Sequence, residues 1–342
     1  MIPDRVAARI APLAPERIER IEEPSLGLLA YVVLDSTALG PAAGGVRTKA
    51  YADEADAALD ACRLARAMTY KCALGGLDAG GGKAVVIASP ELDRERAFEH
   101  LGRYVEGLGG AFRTAGDFGT TDADLAAMAR HTRYVHTDTP NLAAAVGRGV
   151  LRCAEACATY AGRGDVRGLR VAVQGCGDIG AAVAEAFAAA GAEVLVTDLD
   201  AARARAVAER TGATVVDPSD VLFADVDLVS PCAVGDVIDA DVASRLRAWA
   251  VCGGANNICT DDAAHEALHR RGVVFVPDAV SSAGAVVDGI GHTVMGLADR
   301  APLIDALGAT ALAILEDARG HERPPVVHAT RRARLRIDGA SR

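Results

Sequence analysis

Six short apolar segments alternate, for the most part, with stretches of helical period in the second half of the chain. They lie at residues 170–174, 193–197, 214–216, 226–230, 248–252 and 273–276. Apolar strands that alternate with helices are typical of a parallel sheet covered by helices on both faces. The pattern therefore predicts a doubly wound α/β domain.

The turn after the first of these strands carries a G-x-G-x-x-G motif, made by Gly175, Gly177 and Gly180 with Asp178 and Ile179 in between. In this motif Gly175 allows the tight turn, Gly177 lets a pyrophosphate approach the backbone, and Gly180 permits close helix packing. The helix that begins here offers unpaired N–H groups to the phosphates. The motif predicts a Rossmann-type dinucleotide site.

An acidic residue, Asp198, ends the second of these strands. A carboxylate at this place can accept hydrogen bonds from both hydroxyls of an adenosine ribose. It would repel a 2′-phosphate, and Asp200 adds to that repulsion, whereas Arg203 could soften it. The cofactor predicted from these residues is NAD rather than NADP.

The first half of the chain has a different pattern of elements. Apolar segments predict strands at 28–34 and 84–87, the helical period predicts helices at 53–68 and 91–107, and small polar residues predict a loop at 113–121. We therefore expect two domains: 1–140, and an NAD-binding domain at 141–299. We also expect the segment from about 300 to 342 to return to the first domain and to leave a cleft between the two.

Two lysines, Lys71 and Lys83, lie in one glycine-rich stretch with apolar neighbours, so both ammonium groups are expected to be partly shielded from water. Burial disfavours the charged form of lysine and lowers its pKa. A lysine shifted in this way can act as a base near neutral pH, and an unshifted one can hold a carboxylate.

The overall charge and the cysteines exclude several classes of function. The formal net charge of -10 argues against nucleic acid or an anionic membrane as the main partner. The eight cysteines form no CxxC pair and no pattern of a secreted disulfide framework. The cysteine spacing also predicts no metal site. With no apolar leader and no long uncharged stretch, we expect a cytoplasmic protein.

Taken together, these motifs resemble the amino-acid dehydrogenase family that contains leucine, phenylalanine, valine and glutamate dehydrogenases. The resemblance is greatest to the leucine/phenylalanine/valine branch. It is carried, in family order, by residues 40–45, 68–71, 80–83, 114–120, 175–180, 231–233, 254–257 and 277–278.

The resemblance implies a role for each residue of a substrate site. Lys71 would hold the substrate carboxylate, and Lys83 would activate the water that attacks the imino acid. The pKa of Lys83 would be lowered by desolvation and by the charge of Lys71. Asp117 would exchange protons with the substrate amino group, and Gly44 and Gly45 would present backbone to the substrate.

Further positions follow from the same resemblance. Cys232 and Ala233 would contact the cofactor, and Asn256 and Asn257 would lie near its ribose and nicotinamide. Ser282 occupies the place of a family asparagine that helps to bind the substrate carboxylate. The junction at 136–142 is shorter than the family's usual loop.

The implied activity is NAD-dependent oxidative deamination of an L-amino acid with a neutral aliphatic or aromatic side chain, by a homo-oligomer. An acidic substrate would need a further basic group, and the sequence identifies none. Two alternatives stay open because of the departures at Ser282 and at the junction. One is the same chemistry on an atypical substrate, and the other is a non-catalytic NAD(H)-binding regulator on the same fold.

Overall fold

The computed structural model describes residues 2–137 and 142–340. The chain forms two compact units. The first comprises Met1–Pro140, Ile290–Leu297 and Arg334–Arg342, and the second comprises Asn141–Gly289 and Ala298–Ala333. Within the described ranges, no helix is both long and apolar enough to cross a membrane.

The first unit contains four helices and five strands before residue 137. They are α1 (Asp4–Ile10), β1 (Arg17–Glu23), β2 (Leu28–Ser36), β3 (Ala42–Lys49), α2 (Glu54–Leu74), β4 (Gly80–Ile87), α3 (Arg94–Gly107), β5 (Phe112–Gly116) and α4 (Asp122–Ala129).

The five strands form one mixed sheet in the order β1-β2-β4-β3-β5. Strands β3, β4 and β5 run parallel, whereas β2 is antiparallel to both β1 and β4. One face packs on α3 and α4 through residues such as Phe98 and Met128. The other face packs on α1 and α2, and Val85 and Cys62 belong to that core. The parallel strands bring the ends of β3 and β5 to the same edge of the sheet.

The elements that follow residue 141 belong mainly to the second unit. They are α5 (Leu142–Tyr160), β6 (Arg170–Gln174), α6 (Asp178–Ala189), β7 (Glu193–Thr197), α7 (Ala201–Thr211), β8 (Thr214–Val215), β9 (Leu228–Pro231), α8 (Ala240–Arg245), β10 (Ala250–Val251), α9 (Asp262–Arg270), β11 (Val274–Phe275), α10 (Asp278–Ser281), α11 (Gly284–Thr293), α12 (Ala301–Ala318) and α13 (Pro325–Ala340).

The second sheet has six parallel strands in the order β11-β10-β9-β6-β7-β8. If its strands are numbered along the chain, the order is 3-2-1-4-5-6 read from β8, which is that of the Rossmann fold. The chain order reverses between β6 and β9, and ligands bind such sheets outside the carboxyl ends of the strands at this point. All six predicted strands are present, and the predicted α/β class is confirmed.

The sequence patterns missed three strands of the first unit. β3 begins in a segment that its glycines made look like a turn, and β5 begins inside the predicted loop at 113–121. A Cβ at Gly44 would overlap the carbonyl oxygen of Gly82 on the neighbouring strand, so glycine is needed there for close strand pairing. β1 alternates charged and apolar residues at the sheet edge and was not predicted.

The C-terminal segment differs from its predicted course. Helix α12 packs on α5 within the second unit, through residues such as Leu307, whose carbonyl lies 3.8 Å from the thiol of Cys153. Only the end of α13, from Arg334 onward, belongs to the first unit. The predicted return of about 300–342 is therefore limited to the last residues of the chain.

Candidate active site

Lys83 lies inside the first sheet on the face covered by α2. It is on β4 opposite Val33 of β2, two residues before Val85, which packs in the core below α2. Only 6% of the residue is exposed. A lysine at this depth requires a counter-charge.

Asp117 supplies that counter-charge from the residue after β5. Its Oδ2 lies 2.7 Å from the Nζ atom of Lys83. β3 lies between the two strands that carry the pair, and a Cβ at Gly45 would lie 2.9 Å from the Cβ of Asp117. Glycine at this position of β3 thus leaves space for the aspartate. The structure brings together three of the predicted site residues: Lys83, Asp117 and Gly45.

A second cation, Arg47 on β3, contacts the same carboxylate. Its Nε donates a hydrogen bond to Oδ2 of Asp117 at 3.0 Å. Its Nη1 donates to Oδ2 of Asp60 on α2 at 3.1 Å, and the hydroxyl of Tyr51 donates to that oxygen at 2.6 Å. The sequence analysis missed Arg47, Asp60 and Tyr51, because no local motif links a strand arginine to an aspartate one element later.

The pKa values of the pair follow from this surrounding. Burial lowers the pKa of Lys83; the Asp117 carboxylate opposes the shift, and the charge of Arg47 adds to it. Burial alone would raise the pKa of Asp117, but Lys83, the backbone N–H of Phe118 and Arg47 together hold it below its usual value. Arg47 is thus a cation that lowers the pKa of Lys83 and that the sequence analysis did not identify.

Lys71 lies in the last turn of α2 and is 9% exposed. It follows Met68 by three residues, so the two share a face of the helix. The Met68 side chain lies 3.5 Å from the position a Cβ would take at Gly44. The helix thus holds Lys71 one turn beyond the contact with β3.

This array can move protons and bind an anion. A lysine with a lowered pKa and an adjacent carboxylate can hold a proton on either partner. A buried lysine on a helix end can hold a carboxylate by charge.

In the second unit, the glycine turn lies at the carboxyl end of β6, beside the switch point of the sheet. Gly175 has a φ of 96°, which favours glycine, and a Cβ there would lie 2.7 Å from the Cβ of Ala233. A Cβ at Gly180 would overlap the carbonyl oxygen of Gly175. Gly177, in contrast, has no atom within 4 Å of a Cβ position among the described residues.

Helix α6 begins at Asp178, and no side chain caps it; its N-cap residue is Gly177. Its first N–H groups are therefore left to a ligand, and the open side of Gly177 gives a phosphate access to them. The residues present thus fit the pyrophosphate of a dinucleotide. Asp178 is exposed and Ile179 is half-buried in this turn.

Asp198 lies next to the turn, after the end of β7. Its Oδ2 accepts the backbone N–H of Cys176 at 2.7 Å, and its Oδ1 accepts that of Asp200 at 2.8 Å. Burial would raise the pKa of this carboxyl, but the two N–H groups, helped by Arg203, hold it below its usual value. The carboxylate is thus ionised and oriented, with lone pairs left for ribose hydroxyls.

Cys232 and Ala233 follow β9, the strand beside β6. The Cys232 thiol is buried and accepts the backbone N–H of Gly254 at 3.4 Å, whereas Ala233 is exposed next to the glycine turn. The turn, Asp198 and this pair therefore meet at the carboxyl ends of three adjacent strands.

A separate group is formed by Asn256 and Asn257, which follow β10, and Ser282, which follows α10. The backbone N–H of Asn257, which has a φ of 51°, donates to Oδ2 of Asp278 at 3.0 Å. The Ser282 hydroxyl lies 2.7 Å from the carbonyl oxygen of Asp278 and 3.2 Å from Oδ1 of Asn256. The single hydroxyl proton of Ser282 is thus used inside the protein.

The two remaining predictions concern a metal site and the junction at 136–142. Among residues 2–137 and 142–340, no group of three or more His, Cys, Asp or Glu side chains is arranged to hold a metal ion. Most of the shortened junction at 136–142 lies outside the described residues.

Comparison with protein families gives three matches. Residues 21–134 match the dimerisation domain of the Glu/Leu/Phe/Val dehydrogenases. Residues 195–289 match the Glutamate/Leucine/Phenylalanine/Valine dehydrogenase model. Residues 125–235, which include the glycine turn, match the NAD binding domain of the D-isomer specific 2-hydroxyacid dehydrogenases.

Individual proteins agree with these matches. The leucine dehydrogenase of Bacillus subtilis is 37% identical over 281 residues, which cover 80% of this chain and 77% of that protein. The valine dehydrogenase of Streptomyces coelicolor is 38% identical over 283 residues, covering 80% and 78%. The solved structure of L-tryptophan dehydrogenase from Nostoc punctiforme has a TM-score of 0.86 and 30% identity, covering 97% of this chain and 98% of that chain.

The predicted family, the enzymatic activity and the NAD cofactor are thereby confirmed. The chain belongs to the Glu/Leu/Phe/Val dehydrogenase family and is an NAD-dependent amino-acid dehydrogenase.

Proposed function

We propose that this enzyme oxidatively deaminates an L-amino acid with a neutral side chain to the 2-oxo acid and ammonium. The observation that carries this proposal is the buried Lys83, which lies 2.7 Å from Asp117 and has a lowered pKa. A lysine that is partly neutral near the working pH can act as a general base.

In this proposal the first unit binds and activates the substrate. Lys71 holds the α-carboxylate by its charge, and Gly44 and Gly45 present backbone beside it. Asp117 accepts a proton from the substrate ammonium, so that the free amine can push the α-hydrogen out as hydride. Holding the substrate in one orientation supplies much of the rate enhancement.

Lys83 then acts on water. Its neutral amine removes a proton from a water molecule as the oxygen attacks the imine carbon. The Lys83 ammonium returns this proton to the nitrogen of the carbinolamine and, neutral again, takes the hydroxyl proton as the C–N bond breaks. Ammonia leaves, the 2-oxo acid forms, and Asp117 passes its proton to the ammonia. The neutral amine is the active form of Lys83, so this step is expected to be faster at alkaline pH. The lowered pKa of Lys83 moves that increase in rate to a lower pH.

The second unit is proposed to hold NAD, which accepts the hydride when bound. The glycine turn and the start of α6 would hold the pyrophosphate, and Asp198 the adenosine ribose. Cys232 and Ala233 would border the cofactor, and Asn256 and Asn257 would contact the ribose and nicotinamide. Ser282, whose proton is used inside the protein, is better suited to orient Asn256 than to bind substrate directly.

The names of the relatives support the choice of substrate, since they are leucine, valine and L-tryptophan dehydrogenases. We further propose that domain 1–140 binds substrate and forms a homo-oligomer, and that 141–299 binds NAD. The matched dimerisation-domain model at 21–134 supports the oligomer. Eight buried free cysteines are consistent with a cytoplasmic location.

The test is NAD reduction at alkaline pH with a panel of L-amino acids, for the wild type and for Lys83→Ala. We expect turnover of leucine, valine, isoleucine or phenylalanine, and its loss in the variant. Binding of NADH is measured for both proteins. A wild type that binds NADH but oxidises no amino acid would instead support a non-catalytic regulator.

One observation favours the second candidate, an atypical substrate. Arg113 on β5 pairs in register with Ala43 of β3, the residue before Gly44. The Cζ atom of its guanidinium lies 4.7 Å from the centre of the Tyr134 ring. Its Nε is buried and has no hydrogen-bond partner among the described residues. Nε2 of His136 is likewise buried without such a partner. In the described part of the chain, no carboxylate forms an ion pair with Arg113.

Arg113 therefore supplies a basic group that the sequence analysis did not identify, and it suits a side chain that ends in a hydrogen-bond acceptor. The test compares kcat/KM for L-leucine and L-glutamate in the wild type and in Arg113→Leu. A wild-type preference for L-glutamate that the variant reverses would support the atypical substrate. A preference for L-leucine in both proteins would exclude this role of Arg113.

A further inference from the structure

Arg47 is the feature of the first unit that the proposed mechanism leaves unused. It contacts Oδ2 of Asp117, the same oxygen that pairs with Lys83. Its other end is fixed by Asp60, which also accepts the Tyr51 hydroxyl. One carboxylate oxygen is therefore shared by two cations, and one of these cations is anchored to a separate helix.

We propose that Arg47 is a positioning residue, which fixes the orientation of Asp117 and remains as its counter-charge when Lys83 gives up its proton. The proposal deepens the proposed function, because it rests on Lys83 acting as the base.

The reason is the cost of a buried charge without a partner. If Lys83 were the only cation beside Asp117, its deprotonation would leave a largely buried carboxylate without an ion pair, which is strongly unfavourable. With Arg47 in place, the carboxylate keeps a charged hydrogen-bond donor in both states of the lysine. Arg47 thus makes the neutral form of Lys83 accessible without removing the carboxylate from the site.

The charges around Lys83 come from three elements. Asp117 follows β5, Arg47 is on β3 and Asp60 is on α2. The neighbour on β2 is the apolar Val33. Asp117 and Asp60 favour the ammonium form of Lys83, whereas Arg47 disfavours it. Removal of Arg47 and removal of the Asp60 charge must therefore shift the titration of Lys83 in opposite directions.

The composition of the chain makes that titration directly measurable. The sequence contains only three lysines: Lys49, Lys71 and Lys83. Wild-type protein labelled with 13C at the lysine ε-carbon therefore gives three NMR signals, which Lys→Arg substitutions assign, and Arg47→Lys adds a fourth. The exposed Lys49 serves as the internal control. The titrations are recorded on the full chain of the wild type, Arg47→Met, Arg47→Lys and Asp60→Asn.

We expect the Lys83 midpoint to rise by about one pH unit in Arg47→Met, since a like charge has been removed. It should fall by a smaller amount in Asp60→Asn, because Asp60 does not touch Lys83. Arg47→Lys keeps the charge and should restore a midpoint near that of the wild type. The Lys49 midpoint should stay constant throughout.

The proposal is overturned if the Lys83 midpoint is unchanged in Arg47→Met, or if Arg47→Met and Asp60→Asn shift it in the same direction. A purely structural role would lower activity without this opposed pattern. If circular dichroism shows that Arg47→Met does not fold, the direction of the shift in Asp60→Asn decides alone. The titration requires no turnover, so an enzyme inactive on every amino acid tested would contradict the proposed function and still answer this question.

Discussion

The surroundings of Lys83 and the glycine turn after β6 differ in the groups that supply their charge. Around Lys83, charged side chains from β3, β4, α2 and the end of β5 contact one another directly. At the cofactor turn, the main groups are backbone N–H donors, and the residues that matter most are glycines without side chains. In the proposed function, the first region tunes proton affinity through neighbouring charges, whereas the second binds an anion through a helix end that no side chain caps.

This difference predicts that substitutions in the two regions have different effects on activity and on cofactor binding. Losing a side chain of the lysine array should remove chemistry and leave cofactor binding intact. Adding a side chain to the glycine turn should weaken cofactor binding, and each glycine should respond according to the space around it.

The largest effect is expected for Lys83→Met. Loss of the general base should lower kcat by about a hundred- to ten-thousand-fold. The dissociation constant of NADH should stay within about twofold, because the proposed cofactor residues belong to the second unit. Steady-state kinetics and NADH fluorescence titration measure the two quantities.

The matched control is Lys49→Met, which removes an exposed lysine from the end of the same sheet. It should leave kcat unchanged. Retention of wild-type kcat in Lys83→Met would refute the assignment of Lys83 as the base.

A somewhat smaller loss is expected for Asp117→Asn, together with a shift in pH dependence. Asp117 opposes the lowering of the Lys83 pKa, so its removal should lower that pKa further. The neutral amine is the active form, and the activity therefore rises as the pH passes through this pKa. In Asp117→Asn the rise should occur at lower pH, while the plateau of kcat falls about a hundredfold.

The measurements are the pH profiles of kcat and of kcat/KM for oxidative deamination in both proteins. A rise at the same pH, or at higher pH, in Asp117→Asn would contradict the electrostatic coupling between these two groups.

The same contrast explains what could be predicted from the sequence. The glycine turn is a local motif: Gly175, Gly177 and Gly180 lie in one short segment, and its strand and helix are adjacent in the chain. The role of each glycine can therefore be predicted from its immediate neighbours in the sequence. The parallel α/β class followed from the alternation of elements, and the NAD cofactor followed from that motif together with Asp198.

The array around Lys83 is not local. Arg47, Asp60, Lys83 and Asp117 come from separate elements, and they meet only because the sheet order places β3 between β4 and β5. The glycine-rich stretch around Lys83 marked that residue as a candidate base, and the family resemblance supplied Asp117 and the roles of both residues. Nothing within the sequence near Arg47 or Asp60 indicates that they contact the pair, and so both were missed.

A subtler prediction separates two glycines of one motif. In Gly180→Ala the new Cβ would overlap the carbonyl oxygen of Gly175, so the free energy of unfolding should fall by about 1–3 kcal/mol without cofactor. In Gly177→Ala the Cβ would meet no described atom, so the stability of the apo protein should be unchanged or slightly higher. NADH affinity should fall about tenfold in Gly177→Ala, since the Cβ occupies the proposed phosphate approach.

Denaturant unfolding of the apo proteins and NADH titration test this pair. Equal losses in the free energy of unfolding in both variants would show that there is no free space beside Gly177. The proposed position of the pyrophosphate would then be wrong.

The smallest effect is expected at the C-terminal end of the chain, where Arg336 contacts the end of α2. Its Nη1 donates hydrogen bonds to the carbonyl oxygens of Cys72, at 3.2 Å, and Ala73, at 2.9 Å, directly after Lys71. These carbonyls are at a helix C-terminus, where a cation is favourable.

Arg336→Met should therefore loosen the turn that carries Lys71 and raise KM a few-fold, while kcat stays within about twofold, because Lys83 and Asp117 keep their contacts. Arg334→Met is the matched control, since the Arg334 side chain donates a hydrogen bond to the Tyr70 hydroxyl, at 3.4 Å, rather than to the carbonyl oxygens at the end of α2. A KM that rises equally in both variants would trace the effect to the C-terminal helix as a whole. A rise in Arg336→Met alone would extend the substrate site of the first unit to a residue more than 250 positions away in sequence, which no local motif could have indicated.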